Sequence, residues 1–177
     1  MADFADPVQN VARLQLREGM HVADFGAGSG FYTLAAARRV GHSGRVYAVE
    51  VQKELLDKLQ AQALREHITT VQVIWGDLDE PTGTKLADAS MDAVIVSNVL
   101  FQSEQKDILA GEAYRVLKSG GQVLVVDWSD SYSNLGPHPE AVVAEEAARS
   151  YFESAGFVFT ESFKAGEHHY GLILKKQ

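Results

Sequence analysis

The stretch "VADFGAGSGFYTL", residues 22–34, places three glycines within five positions, between an apolar run and a helix-like one. Glycine loses more backbone entropy on folding than any other residue, so such a cluster needs a compensating contact or backbone angle. A tight strand-to-helix turn without a ligand is one interpretation. Glycines at the alternate positions Gly26, Gly28 and Gly30 favour the other, a backbone that closely approaches a ligand whose anionic part faces the helix N–H groups.

Short apolar runs alternate with helix-patterned segments along the chain, which is typical of an α/β domain with a largely parallel sheet. The runs are nearly continuous in Val, Ile and Ala, as in strands that are covered on both faces. The predicted strands are residues 21–26, 45–51, 70–76, 91–99, 121–128, 156–163 and 169–176. Besides the helix that the glycines open, the predicted helices are residues 53–66, 104–118 and 139–154, the last beginning at Pro139.

These elements predict a single Rossmann-like domain over residues 1–177. Its seven-stranded sheet is mostly parallel, ends in a C-terminal antiparallel hairpin and carries helices on both faces. A helical segment at residues 1–19 is expected to cover the ligand site.

Composition excludes several classes of function. The chain has no cysteine, which removes disulfide scaffolds, thiolate metal sites and cysteine nucleophiles. A net charge of −8 opposes binding to a phosphate backbone, so nucleic acid is disfavoured as a partner. Because no apolar run approaches the roughly 20 residues of a membrane span and the N-terminus lacks a signal-peptide pattern, a cytoplasmic location is expected.

The glycine spacing decides between two kinds of ligand. The dinucleotide fingerprint G-x-G-x-x-G would need a third glycine at position 31, which is Phe31 here. The segment "VADFGAGSG" instead resembles motif I of the class I S-adenosylmethionine-dependent methyltransferases: an acid, one residue, then G-x-G-x-G. The resemblance implies S-adenosylmethionine as cofactor and S-adenosylhomocysteine as product.

Further motifs of that family follow in order over residues 20–177. "VYAVEV" ends at Glu50, which matches the acid that accepts hydrogen bonds from both ribose hydroxyls. "WGDLDE" places Asp77 where the family recognises the adenine amino group, and "DAVIVSNVL" resembles motif IV, with Ser97 and Asn98 beside the methionine part. Two of these roles have simpler alternatives: Glu50 could be only a solvated carboxylate at the strand end, and Asp77 could only cap a turn.

The resemblance implies more cofactor contacts, made by backbone groups of Gly26, Val51, Leu78 and Asn98. Asp24 either orients the glycine loop or meets the ammonium group of the cofactor. Tyr32, like Phe31, either packs in the core or faces the sulfonium, since an aromatic face attracts a cation.

Candidates for the acceptor side follow the fifth strand. Asp127 and His138 are the predicted catalytic residues, although His138, directly before Pro139, equally suits an exposed turn. Residues predicted to contact the substrate are Phe4, Phe101 and Trp128. The adjacent His168 and His169 lie on a strand and point to opposite faces, so no metal site is predicted.

The function implied by the resemblance is in-line methyl transfer to a small-molecule or protein acceptor. Lack of cysteine excludes the family's pyrimidine C5 and arsenite chemistries, and "SNVLF" lacks the D/N-P-P-Y/F/W motif for exocyclic amino groups of bases. The chain is most similar to small ubiquinone/menaquinone-biosynthesis methyltransferases, although its shorter length puts a bulky lipid substrate in doubt. A catalytically silent cofactor-binding module or heteromer subunit, an aminopropyltransferase and a homodimer stay open.

Overall fold

A seven-stranded sheet forms the centre of the computed structural model, which describes residues 5–132 and 135–177. Its strands are β1 (His21–Phe25), β2 (Arg45–Glu50), β3 (Val71–Trp75), β4 (Met91–Ser97), β5 (Leu117–Trp128), β6 (Val158–Gly166) and β7 (His169–Lys175). They lie in the order β3-β2-β1-β4-β5-β7-β6. The first five in this order pair in parallel, whereas β7 is antiparallel to both β5 and β6, so the predicted sheet is confirmed.

Helices cover both faces of the sheet. They are α1 (Pro7–Ala12), α2 (Phe31–Val40), α3 (Lys53–Arg65), α4 (Lys106–Val116) and α5 (Glu145–Ser154). Alternate residues of β4 pack into separate core clusters on the two faces of the sheet, because side chains along a strand point to opposite faces. Val94 and Val96 pack in the cluster that contains α4 and α5, whereas Ile95 packs in the one that contains α1 and α2. Predicted burial on both faces is therefore confirmed.

The predicted helix over residues 139–154 is wrong in its first third. Pro139–Ala141 forms one 3₁₀ turn, and α5 begins only at Glu145. Between them Val143 is buried in the core, and its carbonyl accepts a 3.0 Å hydrogen bond from the Tyr170 hydroxyl. This packing holds residues 142–144 in an extended conformation, so the Val143 carbonyl takes no part in a helix.

The predicted junction between α4 and β5 is also displaced. α4 ends at Val116, and β5 begins at Leu117 rather than at residue 121. Leu117 is fully buried and pairs with Met91, and the register shifts before the main pairing with β4 resumes. The glycines at 120 and 121 therefore lie within the strand and do not end the helix.

The N-terminal helix is short. Asp6 caps it by accepting hydrogen bonds from the N–H groups of Val8 and Gln9, at 2.9 and 3.2 Å. Asn10 fixes it to the domain, since its side-chain amide donates to the Tyr32 hydroxyl at 2.9 Å and to the Ala165 carbonyl at 3.2 Å. In the described part of the chain, no helix is long and apolar enough to cross a membrane.

Candidate functional site

A cavity of about 560 Å³ lies at the carboxyl ends of the parallel strands, a volume in the range of small-ligand sites. β1 and β4 are neighbours at its centre, which is where the strand order reverses and where such sheets bind ligands. The predicted cofactor residues that line it are Asp24, Gly26, Gly28, Tyr32, Glu50, Val51, Asp77, Leu78, Ser97 and Asn98. Ala5 and Pro7 also line it, so the start of the described chain borders the cavity.

The glycines of the turn after β1 have different surroundings. A Cβ added to Gly28 would meet only the Gly26 carbonyl oxygen, at 3.9 Å, so this residue faces open space. A Cβ added to Gly30 would lie 2.2 Å from Cδ1 of Leu59, which is buried in α3. Gly30 does not line the cavity, and its role in the structure is to let α3 pack against the turn.

Glu50 is held in one orientation at the end of β2. Its Oε2 accepts a hydrogen bond from the Gly28 N–H and its Oε1 one from the Gln52 N–H, both at 3.0 Å. The side chain lines the cavity and is 7% exposed. A carboxylate has about four acceptor positions, so each oxygen can accept a further donor from the cavity.

Two acidic residues follow β3. Asp77 is exposed, and its Oδ1 accepts from the Asp79 N–H at 3.0 Å, so it caps the turn and lines the cavity at once. Asp79, which no sequence motif indicated, also lines the cavity. It joins the segment after β3 to the one after β4, accepting from the Ser103 hydroxyl at 2.5 Å and the Glu104 N–H at 3.1 Å. Burial raises the pKa of Asp79, but these hydrogen bonds outweigh burial and hold the pKa below its usual value.

Asp24 is the buried acid of the cavity. Its carboxylate accepts a hydrogen bond from the Thr33 hydroxyl at 2.5 Å. Burial raises the pKa of Asp24 to about 6; the hydrogen bond from Thr33 opposes this rise, and the negative charge of Glu50 adds to it. A nearby cation would therefore favour the ionised form.

Asn98 directly follows β4 and has a left-handed backbone angle, φ 56°. Its carbonyl oxygen accepts from the Gln102 side chain at 2.8 Å. Its side-chain Oδ1 is buried and has no hydrogen-bond partner among the described residues. Because unpartnered buried acceptors are costly, this atom is suited to a donor supplied from the cavity.

Neither predicted catalytic residue lines the cavity. Asp127 is fully buried, and its two oxygens accept from the N–H groups of Leu100 and Trp128 at 2.9 and 2.8 Å. Burial raises the pKa of Asp127 to about 6, against these hydrogen bonds. His138 is exposed beside the 3₁₀ turn. The geometry thus gives Asp127 the task of fixing the segment after β4.

Of the two predicted substrate residues that the structure describes, Trp128 lines the cavity and Phe101 does not. Phe101 is half-buried outside it, and Phe4 lies outside the described residues. His169, which the sequence analysis considered only for a metal, also lines it and packs against Trp128, their ring centroids 4.2 Å apart. His168 instead pairs with Asp130 at 2.8 Å and stacks on Tyr132. His168 lies in the turn before β7, whereas His169 is the first residue of that strand, so the expectation that both histidines lie on one strand is wrong.

The described charged residues that line the cavity are all acidic. Four carboxylates line the cavity, Asp24, Glu50, Asp77 and Asp79, and the lining residues that the structure describes include no Lys or Arg. Such a lining attracts a cationic ligand with hydroxyl and amino groups and offers no ion pair to an anionic one.

Residues 16–170 match the family model described as a methyltransferase domain. The chain belongs to this methyltransferase family. The resemblance drawn from motif I and the motifs after it is thereby confirmed. A solved structure, a SAM-dependent methyltransferase from Aquifex aeolicus, is 26% identical with a TM-score of 0.86, over 96% of this chain and 88% of that one.

Two curated relatives differ in the compound that their names contain. An arsenite methyltransferase of Aquipseudomonas alcaligenes is 34% identical over 67% of this chain and 35% of its own length. A ubiquinone/menaquinone biosynthesis C-methyltransferase of Hydrogenovibrio crunogenus is 31% identical over 75% of this chain and 56% of its own. The chain thus spans about half or less of the length of these two relatives.

Proposed function

We propose that this chain is an S-adenosylmethionine-dependent methyltransferase that transfers a methyl group in line to a small-molecule acceptor. The observation that carries the proposal is the Glu50 carboxylate, oriented by the N–H groups of Gly28 and Gln52 in an acidic cavity. Family membership and the Aquifex aeolicus structure support the same cofactor.

The residues present fit this cofactor. Glu50 keeps acceptor positions for the two ribose hydroxyls, and Asp77 offers a carboxylate for the adenine amino group. Val51 and Leu78 line the cavity near these two acids in the chain. Asp24, Ser97 and Asn98 lie at the ends of β1 and β4, where the acidic surroundings suit the cationic methionine part. When bound, the cofactor supplies a methyl group already activated on a sulfonium.

The chain's own task is then to bind and orient. Holding donor and acceptor in line can contribute several kcal/mol, up to about 7–11 kcal/mol in the best intramolecular cases. The positive charge of the sulfonium is dispersed in the transition state, which a cavity with little water favours. A general base is needed only where the acceptor must lose its proton early, so the positions of Asp127 and His138 outside the cavity are compatible with transfer.

The names of the two relatives suggest different acceptors, and this chain does not suit both equally. Arsenite is disfavoured, because the sequence offers no cysteine to bind arsenic. A ring compound related to a quinone precursor suits Trp128 in the lining better, although its lipid tail would need more wall than the described residues provide.

The experiment is transfer of label from methyl-tritiated S-adenosylmethionine into fractionated lysate, with Glu50→Ala as the paired variant. Label that enters a small molecule with the wild-type chain, and at least about tenfold less with Glu50→Ala, supports the proposal. Tight cofactor binding without label in any fraction would point to a silent binding module. No binding at all would overturn the proposal.

A further inference from the structure

We propose that His169 binds the methyl acceptor, and that this acceptor is an uncharged compound that presents an O–H or N–H donor. This inference rests on the proposed function, and names the part of the cavity and the substrate class that the cofactor motifs leave open.

His169 has unused hydrogen-bonding capacity. Its side chain is 3% exposed, and within residues 5–132 and 135–177 neither Nδ1 nor Nε2 has a hydrogen-bond partner. Leaving a buried polar group unpartnered is costly, so a ligand that hydrogen-bonds to it gains what the free protein lacks. Among the residues lining the cavity, Asn98 has the same property at Oδ1.

The position of His169 separates it from the cofactor residues. It starts β7 and pairs with Trp128 of β5, whereas Glu50 ends β2. Four strand spacings of about 4.8 Å each separate β2 from β7 in the sheet, so these two strands are about 19 Å apart. Asn98, after β4, lies between them. A cofactor held at β2 by its ribose therefore leaves the β5–β7 side for the acceptor.

The electrostatics select the charge of the acceptor. Burial and, to a smaller extent, the neighbouring His168 lower the pKa of His169 to about 4, against the opposing effect of Asp130. The imidazole is thus neutral at physiological pH, with one acceptor nitrogen and one N–H. With four carboxylates in the lining and no Lys or Arg among its described residues, a carboxylate or phosphate on the acceptor would find no ion-pair partner. Asn98 Oδ1 and the unprotonated ring nitrogen both take donors.

Trp128 packs against the imidazole. Both ring nitrogens are fully buried, and the indole lies against the ring with their planes tilted by 40°. An acceptor that binds the imidazole therefore meets the indole as an apolar wall for the body of the ligand. This favours a planar ring compound over a chain.

The test uses ¹⁵N-histidine-labelled protein saturated with S-adenosylhomocysteine and three ring probes. Phenol is neutral with a donor, anisole lacks the donor and benzoate is anionic. We expect phenol to shift the His169 ring resonances saturably, and anisole and benzoate to bind at least about tenfold more weakly, as loss of one hydrogen bond predicts. His169→Phe should lose phenol binding by a similar factor, whereas His169→Gln should keep it within about threefold. His42→Phe, at an exposed histidine, is the matched control.

Resonances of His169 that stay unmoved by phenol would overturn the inference, as would equal phenol affinity in His169→Phe or tighter binding of benzoate. The wild-type titration decides the matter even where a variant fails to fold. Lack of S-adenosylhomocysteine binding would count against the proposed function instead, and the phenol titration can still be read on the free protein.

Discussion

The backbone N–H of Gly28 donates a 3.0 Å hydrogen bond to Oε2 of Glu50, 22 positions further along the chain. This bond joins the turn after β1 to the end of β2, the two places where the family's strongest motifs lie. It orients the carboxylate and keeps the glycine backbone at the cavity. The turn and the acid therefore form one unit, and a change in either should disturb the site.

Gly28→Ala tests the turn. An added methyl group meets nothing nearer than the Gly26 oxygen and takes up space in the cavity. With φ at 52°, alanine should cost about 1–2 kcal/mol in the free energy of unfolding, and S-adenosylhomocysteine affinity should fall at least about tenfold. Gly120→Ala is the control, since its φ is 82°, its Cβ is unobstructed and it lies outside the cavity lining. Equal affinity losses in both variants would contradict the assignment.

Asp24→Asn tests the burial of charge. In the wild-type chain the raised pKa of Asp24 stabilises the folded state when the buried carboxyl is protonated and uncharged. This stabilisation is fully present below pH about 3.8 and is lost as the pH rises through about 6. Asparagine carries no charge, so at pH 8 the variant should be more stable by about 1–3 kcal/mol, and at pH 4 nearly equal. Urea unfolding at both values measures this. A variant less stable at pH 8 would be the contrary result.

Cofactor affinity should also depend on the protonation state of Asp24. If the Asp24 carboxylate serves the cationic ligand, S-adenosylmethionine should bind up to about tenfold more weakly at pH 5 than at pH 7, because the carboxyl is then mostly protonated. Calorimetry across this range measures the dependence. Asp24→Asn should bind weakly at every pH, and an unchanged pH dependence in this variant would exclude Asp24 as the cause.

Asp127→Ala tests a structural role for that residue. The change leaves the buried N–H groups of Leu100 and Trp128 without their carboxylate, which should lower the free energy of unfolding by about 2–4 kcal/mol. Denaturant unfolding with Asp130→Ala as the exposed comparison gives the value. A stability equal to that of the wild type would show that the two hydrogen bonds contribute little.

Much of the fold could be predicted because its signals are local. Continuous apolar runs indicate the parallel strands, and Glu50 is recognisable because it ends the first such run after motif I. Pro139 misled because proline begins both helices and single turns, and only the packing of Val143 against the core distinguishes the two.

His169 could not be assigned to the cavity for a related reason. His168 lies in the turn of the β6–β7 hairpin, and the register of that hairpin makes His169 the first residue of β7. That register contains two irregularities, one of them between Lys164 and Gly166 next to the turn. The position of His169 thus depends on long-range pairing with β5, where it pairs with Trp128.

Calorimetric titration of S-adenosylhomocysteine into the wild-type chain, Glu50→Ala and Glu54→Ala puts the cofactor site itself to the test. Glu54 is an equally acidic but exposed residue of α3. We predict saturable binding to the wild type and to Glu54→Ala, and a loss of about 100-fold in Glu50→Ala, since two charge-assisted hydrogen bonds to the ribose disappear. Undiminished binding by a folded Glu50→Ala, or no binding by the wild type, would contradict the assignment of this cavity to the cofactor.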